Sequence, residues 1–428
     1  MKRCVDTISL LLAALILVSC AEEAVSESGR SDGGNTVIPD NTAVGADSGE
    51  RDEAKLAPDL PDDLSFDGDS FRFLSRHEPS GAWNVLDAYA EGLTGEVLND
   101  AIFQRNEEVT ERLGVVLTET VSENVPNDAK AAVLSGDTSY DALITNAVGS
   151  FSMASEGVVS DLYGLLFADL SRPWWDGAAN EEYELFGHQY FAVSDMNLMA
   201  NEATWITMAN KAVLDDLAVG IDTLYDLVRE GRWTIDAYRQ TADLFYQDVN
   251  GNGKADSADT YGTVMQGHGA DGFLMGCGLR WVEKDENGEP SLNPLDDRAA
   301  AIFDKVGSVV DKRIAFNSHD SIQNDKWAQD TEYGQQIFAE DRAVFFTETL
   351  QCVRRLRTMD TDFGVIPMPK FDETQETYLS MVHWWAMSML SVPLNAPDPV
   401  KDGGCSGMDV LPVHDGNQGS LLRRGGQR

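Results

Sequence analysis

Positive charge is scarce in this chain: 32 Lys and Arg stand against 72 Asp and Glu, for a formal net charge of −40. A surface of that sign repels a phosphate backbone, which excludes nucleic acid as a partner. Histidine is scarce too. The six are scattered, and no Cys-x-x-Cys pair or Cys/His cluster accompanies them, which argues against zinc. The five cysteines are Cys4, Cys20, Cys277, Cys352 and Cys405. In an exported chain, a Cys277–Cys352 disulfide is left open. The motifs HExxH, GxSxG and GxxxxGK[ST] are all missing, so the common metalloprotease, hydrolase and nucleotide-binding signatures give no catalytic centre. Acidic pairs such as Glu107-Glu108 are numerous enough to be expected as solvated helix faces. The apolar run Ile8–Val18, broken only by Ser9, is too short for a membrane span.

That run has another use. Lys2 and Arg3 precede it, and it ends in Leu17-Val18-Ser19-Cys20. This resembles a bacterial lipobox, in which Cys20 is lipidated and becomes the first residue of the mature chain, although Asp6 is unusual in such a signal. An ordinary signal peptide is the plainer alternative. Buried acyl chains contribute about 0.8 kcal/mol per CH2, so a multiply acylated cysteine anchors firmly. The expected location is the extracellular face of the cell membrane. Residues 21–63 are acidic, rich in Ser, Gly and Ala, and free of aromatics. Such a segment buries too little apolar area to offset the entropy of ordering, so it is expected to be a disordered tether with a reach of roughly 35 Å.

Ordered sequence begins near Ser65. Phe71–Leu74, Val115–Leu117 and Tyr140–Ile144 predict strands, separated by predicted helices at Asn99–Leu113, capped by Asn99 or Asp100, and at Ala129–Leu134. This β-α-β-α-β order implies a mostly parallel sheet covered by helices. Tyr190–Val193, Thr204–Met208 and Phe363–Pro367 predict further strands. Lys211–Leu217, Thr234–Tyr246 with Thr234 as cap, and Asp297–Val310 predict helices.

The sharpest internal motif runs from Asp248 to Asp259. It fits an EF-hand calcium loop, with Asp248, Asn250, Asn252, the Lys254 carbonyl, Asp256 and Asp259 as candidate ligands of a structural Ca2+. Gly253 permits the sharp turn, while Asp259 replaces the usual bidentate Glu and shortens the reach. A solvated Asn/Gly turn is the competing reading. Gly267-His268-Gly269-Ala270-Asp271-Gly272 matches GxGxxG but is expected to be a flexible loop, so no catalytic cofactor is implied. Tryptophans Trp83, Trp174, Trp175, Trp205, Trp384 and Trp385 fall near predicted loops or strand ends. Indole faces stack on the C–H faces of sugar rings. Core packing is the commoner fate of tryptophan. His383, together with Asp195 and Asn197 after the predicted strand at Tyr190–Val193, completes the candidate ligand-binding set.

Three segments carry a family resemblance: Ser135-Gly136-Asp137 with Tyr140–Ile144; Ala209-Asn210-Lys211 leading to Gly231-Arg232-Trp233-Thr234; and Phe363-Gly364-Val365-Ile366-Pro367-Met368-Pro369-Lys370. In that order, behind a lipobox, they resemble the family 1 extracellular solute-binding proteins, the substrate-binding lipoproteins of ABC transporters, and most closely the gut-type Firmicutes branch. The resemblance covers roughly residues 65 to 400. It implies an α/β, two-lobed, periplasmic-binding-protein-like (type II) fold with a hinge and an interlobe cleft. Lobe one would comprise 64–195 with 383–400, and lobe two 196–382. It further implies capture of a mono- or oligosaccharide, without catalysis, for an ABC permease. The competing functions are a surface glycan-processing enzyme, needing two cleft carboxyls about 5–9.5 Å apart, and a calcium-stabilised adhesion module. Residues 401–428 form an atypical Gly- and Arg-rich tail where the family continues in amphipathic helices, which suggests a frameshift near residue 400 and premature termination, with a natural divergent tail as the alternative.

Overall fold

The computed structural model describes residues 60–78, 87–285, 287–321 and 327–396. Cys20, most of the tether, Trp83 and the tail at 401–428 lie outside the described residues.

The first sheet is centred on short, mostly buried runs. Strands β1 (Ser70–Arg76), β2 (Val116–Ser122) and β3 (Ala142–Thr145) are parallel, and β1 lies between the other two. Phe71 and Phe73 point to one face, where they pack with Val109 and Leu113 of α1 (Val97–Leu113). Leu74 and Leu143 point to the other, against Val125 and Ala129 of α2 (Val125–Ser135). Period-two side chains thus serve two helical layers at once. Asp141 fixes the register of β1 against β3: its buried carboxylate accepts from the Arg72 backbone N–H at 2.9 Å and from Arg72 Nε at 2.7 Å. Helix α1 starts earlier than expected, with Glu96 as its cap, while Asp100 instead accepts from the N–H groups of Thr94 and Gly95. Helix α3 (Ala147–Ser155) follows β3 directly, and α4 (Gly177–Tyr183) and α5 (Leu198–Glu202) come later in the chain. The strand expected at Tyr190–Val193 is reduced to single bridges, Ala192 to Leu390 and Ser194 to Trp175.

The second sheet is mixed. Its order is β10 (Phe363–Ile366), β4 (Trp205–Asn210), β9 (Ala343–Thr349), β5 (Tyr261–Met265), β8 (Ala315–Asn317). Strand β4 is antiparallel to both neighbours, whereas β5 is parallel to β8 and β9. A small antiparallel pair, β6 (Val282–Lys284) and β7 (Pro290–Leu292), stands apart. Helices α6 (Lys211–Asp216), α7 (Ile221–Arg229), α8 (Ile235–Ala242), α9 (Gly269–Gly276) and α10 (Asp297–Val309) contribute to one core, with Phe345 and Trp233. Phe346, Met208 and Ile206 face the opposite core, as does Cys352 of α12 (Gln351–Arg355), which lies beyond α11 (Trp327–Ala339) in sequence. Helix α8 ends at Ala242, short of the expected Tyr246.

One open pairing is answered here and one expectation corrected. Cys277 and Cys352 are both free and buried, because they belong to cores on opposite faces of the second sheet. Burial raises both thiols, Cys277 to about 12. The GxGxxG stretch is not a loop throughout, since α9 begins at Gly269. Its glycines allow close packing: a Cβ at Gly272 would meet the Trp205 ring at 3.1 Å, and one at Gly269 would meet Met265 at 2.6 Å.

The chain returns to the first sheet through β11 (Met389–Ser391), antiparallel to β3. Among the described residues two segments therefore cross between the sheets, one leading into β4 and one into β11. They are bridged at Thr204 and Val382.

Candidate functional site

The carboxyl ends of β1 and β3 lie on the edge where β11 begins, and the carboxyl ends of β5 and β9 lie on the edge where β4 begins. In open α/β sheets ligands sit outside the carboxyl ends of strands. Both crossings pass through this zone, so its side chains come from both sheets.

Trp385 is the open aromatic there, 50% exposed. Its backbone is held from below. Arg76, at the end of β1, donates through Nη1 to the Trp385 carbonyl and through Nη2 to the Ala386 carbonyl at 3.4 Å. Asn146, just past β3, adds an Nδ2 bond to the Trp385 carbonyl at 3.3 Å and accepts from Gly149 N–H to cap α3. The Ala147 N–H donates to the Trp384 carbonyl at 3.1 Å. Arg76 is buried, and that burial lowers its pKa, with Glu78 and Asp87 opposing the shift.

An aromatic ladder continues from this point into the second sheet. His383 stacks on Trp384 with centroids 5.2 Å apart and on Trp205 at 6.1 Å. His268, which follows β5, meets His383 and Trp384 edge-on, each at 5.1 Å, and its Nδ1 lies 3.1 Å from Asp271. Burial drives the His383 pKa down to about 3, and His268 and Arg76 add to the shift, so His383 is neutral at physiological pH.

Beside the crossings is a cavity of about 310 Å3. Asp195, Asn201 and Thr204 line it from one side, Tyr378, Ser380 and Val382 from the other. The lining is mixed polar and apolar, as a small polar ligand requires.

The sequence-predicted residues divide sharply. Trp385 is open, Trp384 is half-buried, and Asp195 is exposed at the cavity. The expectation of a ligand-facing indole is corrected for Trp174, Trp175 and Trp205, which are 3%, 6% and 0% exposed and belong to the cores. Asn197 is buried in the wall of the same cavity: its Oδ1 accepts from Ser194 N–H at 3.0 Å and its Nδ2 donates to Ser388 at 3.3 Å, so it braces the crossing. His383 is likewise buried. Sequence reasoning missed Arg76, Asn146 and His268. Two of the three stand at or just past the end of a predicted strand, which was the available signal.

The loop at 248–259 is wound by its own carboxylates. Asp248 accepts from the N–H groups of Gly251 at 2.7 Å and Gly253 at 2.8 Å. Asp259 accepts from Val249 at 3.0 Å and Asp256 at 3.1 Å. Asn250 and Asn252 turn their amide nitrogens onto Asp256, and their oxygens accept from Asn252 and Lys254 N–H. Among the described residues no group of three or more His, Cys, Asp or Glu is arranged to hold a metal ion.

No protein-family model matches the chain, and no curated protein matches it. Solved structures do. A galacto-N-biose/lacto-N-biose I-binding protein of a Bifidobacterium longum ABC transporter, in complex with lacto-N-biose, aligns with a TM-score of 0.53 at 14% identity, over 84% of this chain and 77% of that one. A cyclo/maltodextrin-binding protein complexed with maltotetraose aligns with a TM-score of 0.50 at 12% identity, over 81% and 75%. UspC of M. tuberculosis aligns with a TM-score of 0.50 at 12% identity, over 80% and 83%. The chain therefore has the α/β, two-lobed fold of periplasmic-binding-protein-like molecules.

Replacing Arg76 with Met removes charged hydrogen bonds from the part-buried Trp385 carbonyl and the buried Ala386 carbonyl. Urea denaturation is expected to show a loss of about 2–3 kcal/mol. A loss below about 0.5 kcal/mol would mean that the guanidinium does not fasten the crossing.

Proposed function

We propose that this chain is a family 1 type solute-binding lipoprotein that captures a mono- or oligosaccharide by hinge closure and delivers it to an ABC importer. It performs no chemistry on the ligand. The observation that carries this reading is a half-exposed indole, Trp385, presented at a junction to which both sheets contribute side chains. An apolar ring on a fastened backbone offers a stacking platform, and the cavity beside the crossings supplies carboxylate, amide and hydroxyl groups for sugar hydroxyls. The aligned proteins complexed with lacto-N-biose and maltotetraose support the same ligand class.

In this reading lobe one is 64–195 with 383–400, and lobe two is 196–382. The two crossings act as the hinge, and ligand shifts the population towards the closed form. Cys20 carries the lipid that tethers the chain to the extracellular face of the membrane.

A thermal-shift titration against mono- and oligosaccharides, including lacto-N-biose and maltotetraose, tests the assignment. One glycan class is expected to raise Tm saturably and to remain intact on prolonged incubation. Trp385→Ala is expected to weaken binding at least tenfold, about 1.4 kcal/mol, with little change in the Tm of the free protein. A product released from the glycan, or unaltered affinity in the variant, contradicts the reading.

We further propose that the 248–259 loop holds a structural Ca2+. The loop has the backbone turns of a calcium loop, with the Asn250 and Asn252 oxygens on its own N–H groups, and binding requires their amide nitrogens to give up Asp256 to the ion. Asp248, Asn250, Asn252, the Lys254 carbonyl, Asp256 and Asp259 then supply oxygens suited to a hard cation. At calcium one hundredfold above Kd the fold gains about 2.7 kcal/mol. Tm is expected to rise with Ca2+, to fall back on chelation, and to lose this response in Asp256→Asn. A Tm indifferent to calcium rules the site out.

A further inference from the structure

Behind the aromatic ladder lies a polar cluster built around Asp87. Its side chain is completely buried. Oδ2 accepts from the Ser388 hydroxyl and the Met199 N–H favours the charged carboxyl, whereas Oδ1 has no hydrogen-bond partner. The Ser388 oxygen in turn accepts from Asn197 Nδ2 at 3.3 Å. Asn197 Oδ1 accepts from the Ser194 N–H and hydroxyl at 3.0 and 3.1 Å. On the other side, Arg105 of α1 donates to the backbone carbonyls of Asp87 and Ala88, both at 2.8 Å.

Asp87 therefore ties three parts of the fold together through its carboxyl and its backbone. Ser194–Met199 belongs to the crossing that enters the second sheet. Ser388 belongs to the crossing that leaves it. Arg105 anchors the assembly to the helical layer of the first lobe. A buried carboxyl with one oxygen lacking a donor is costly when ionised and comfortable when neutral. Its neighbours would feel a change of state directly, because the Ser388 hydroxyl and the Met199 N–H are the groups that solvate the charge.

We propose that Asp87 is a proton-linked positioning residue of the hinge: gain or loss of its proton repacks the two crossings and so sets how readily the lobes close. The proposal deepens the solute-binding reading and rests on it only in taking the crossings as the hinge.

Burial raises the Asp87 pKa from 3.8 to about 7, against the opposing effects of Ser388, the Arg105 charge and the Met199 N–H. Glu202 of α5 raises it further, and the Arg76 guanidinium of β1 also feels the Asp87 charge. The sign follows from the raised value. Folding takes up a proton, so the stabilisation is complete below the unfolded value of 3.8 and is lost as pH climbs through about 7. Acid tightens the junction, and neutral to alkaline pH loosens it.

The test is an NMR titration of the full chain carrying Cys20→Ala, with 13C-labelled aspartate carboxyls and no ligand. One carboxyl resonance, absent from Asp87→Asn, is expected to titrate near pH 7. The amide resonances of Asn197 and Ser388 are expected to move with the same midpoint, and to stay flat in Asp87→Asn. Ser388→Ala, which removes a donor to the charged form, is expected to raise the midpoint. If Asp87→Asn fails to fold, the wild-type and Ser388→Ala titrations decide the matter together. An Asp87 carboxyl that ionises in the ordinary carboxylate range overturns the proposal, as do crossing amides that ignore its titration. No sugar enters this measurement, so its failure leaves the sugar assignment standing, and the reverse also holds.

Discussion

The return of the chain from the second sheet to the first is the constraint on which the rest depends. Residues 383–388 must leave one core, pass the junction and enter β11 in register with β3. Backbone carbonyls exposed in such a passage need donors. Arg76 and Asn146 supply them to Trp385, and the first N–H of α3 supplies one to Trp384. Because these donors sit at or beside the carboxyl ends of β1 and β3, fastening the passage also sets an aromatic side chain at the edge where α/β sheets take ligands.

Much of the fold was legible in the sequence. The strands around Phe71–Leu74 and Ala142–Ile144 read as short, largely apolar runs because each is covered by helices on both faces. The motifs that carried the family resemblance prove to be structural fasteners. Asp141 pins β1 to β3. Asn210 caps α6 through Val213 N–H. Trp233 donates its indole N–H to the Pro367 carbonyl at 3.0 Å, joining two of the motifs directly. Such residues are visible in a sequence because caps and pinned registers demand particular side chains at particular spacings.

The candidate site was less legible, for physical reasons. A tryptophan near a loop looks the same whether its ring faces water or a core. Trp174 and Trp175 pack under the first sheet's helices, whereas Trp385 stands open. Only tertiary contacts separate them. The GxGxxG pattern misled in another way: its glycines are demanded by the close approach of α9 to Trp205 and Met265, a packing requirement that leaves the same trace in sequence as a phosphate-binding turn. The two buried thiols were equally ambiguous until the sheet was seen to lie between them.

The central claim is that two lobes close on a sugar stacked against Trp385. Small-angle X-ray scattering of the soluble chain, without and with a saturating concentration of the glycan that gives the largest thermal shift, tests this most directly. The account predicts a smaller radius of gyration with sugar, and no such compaction in Trp385→Ala at the same concentration. An unchanged radius under saturating sugar, or equal compaction in the variant, would contradict it.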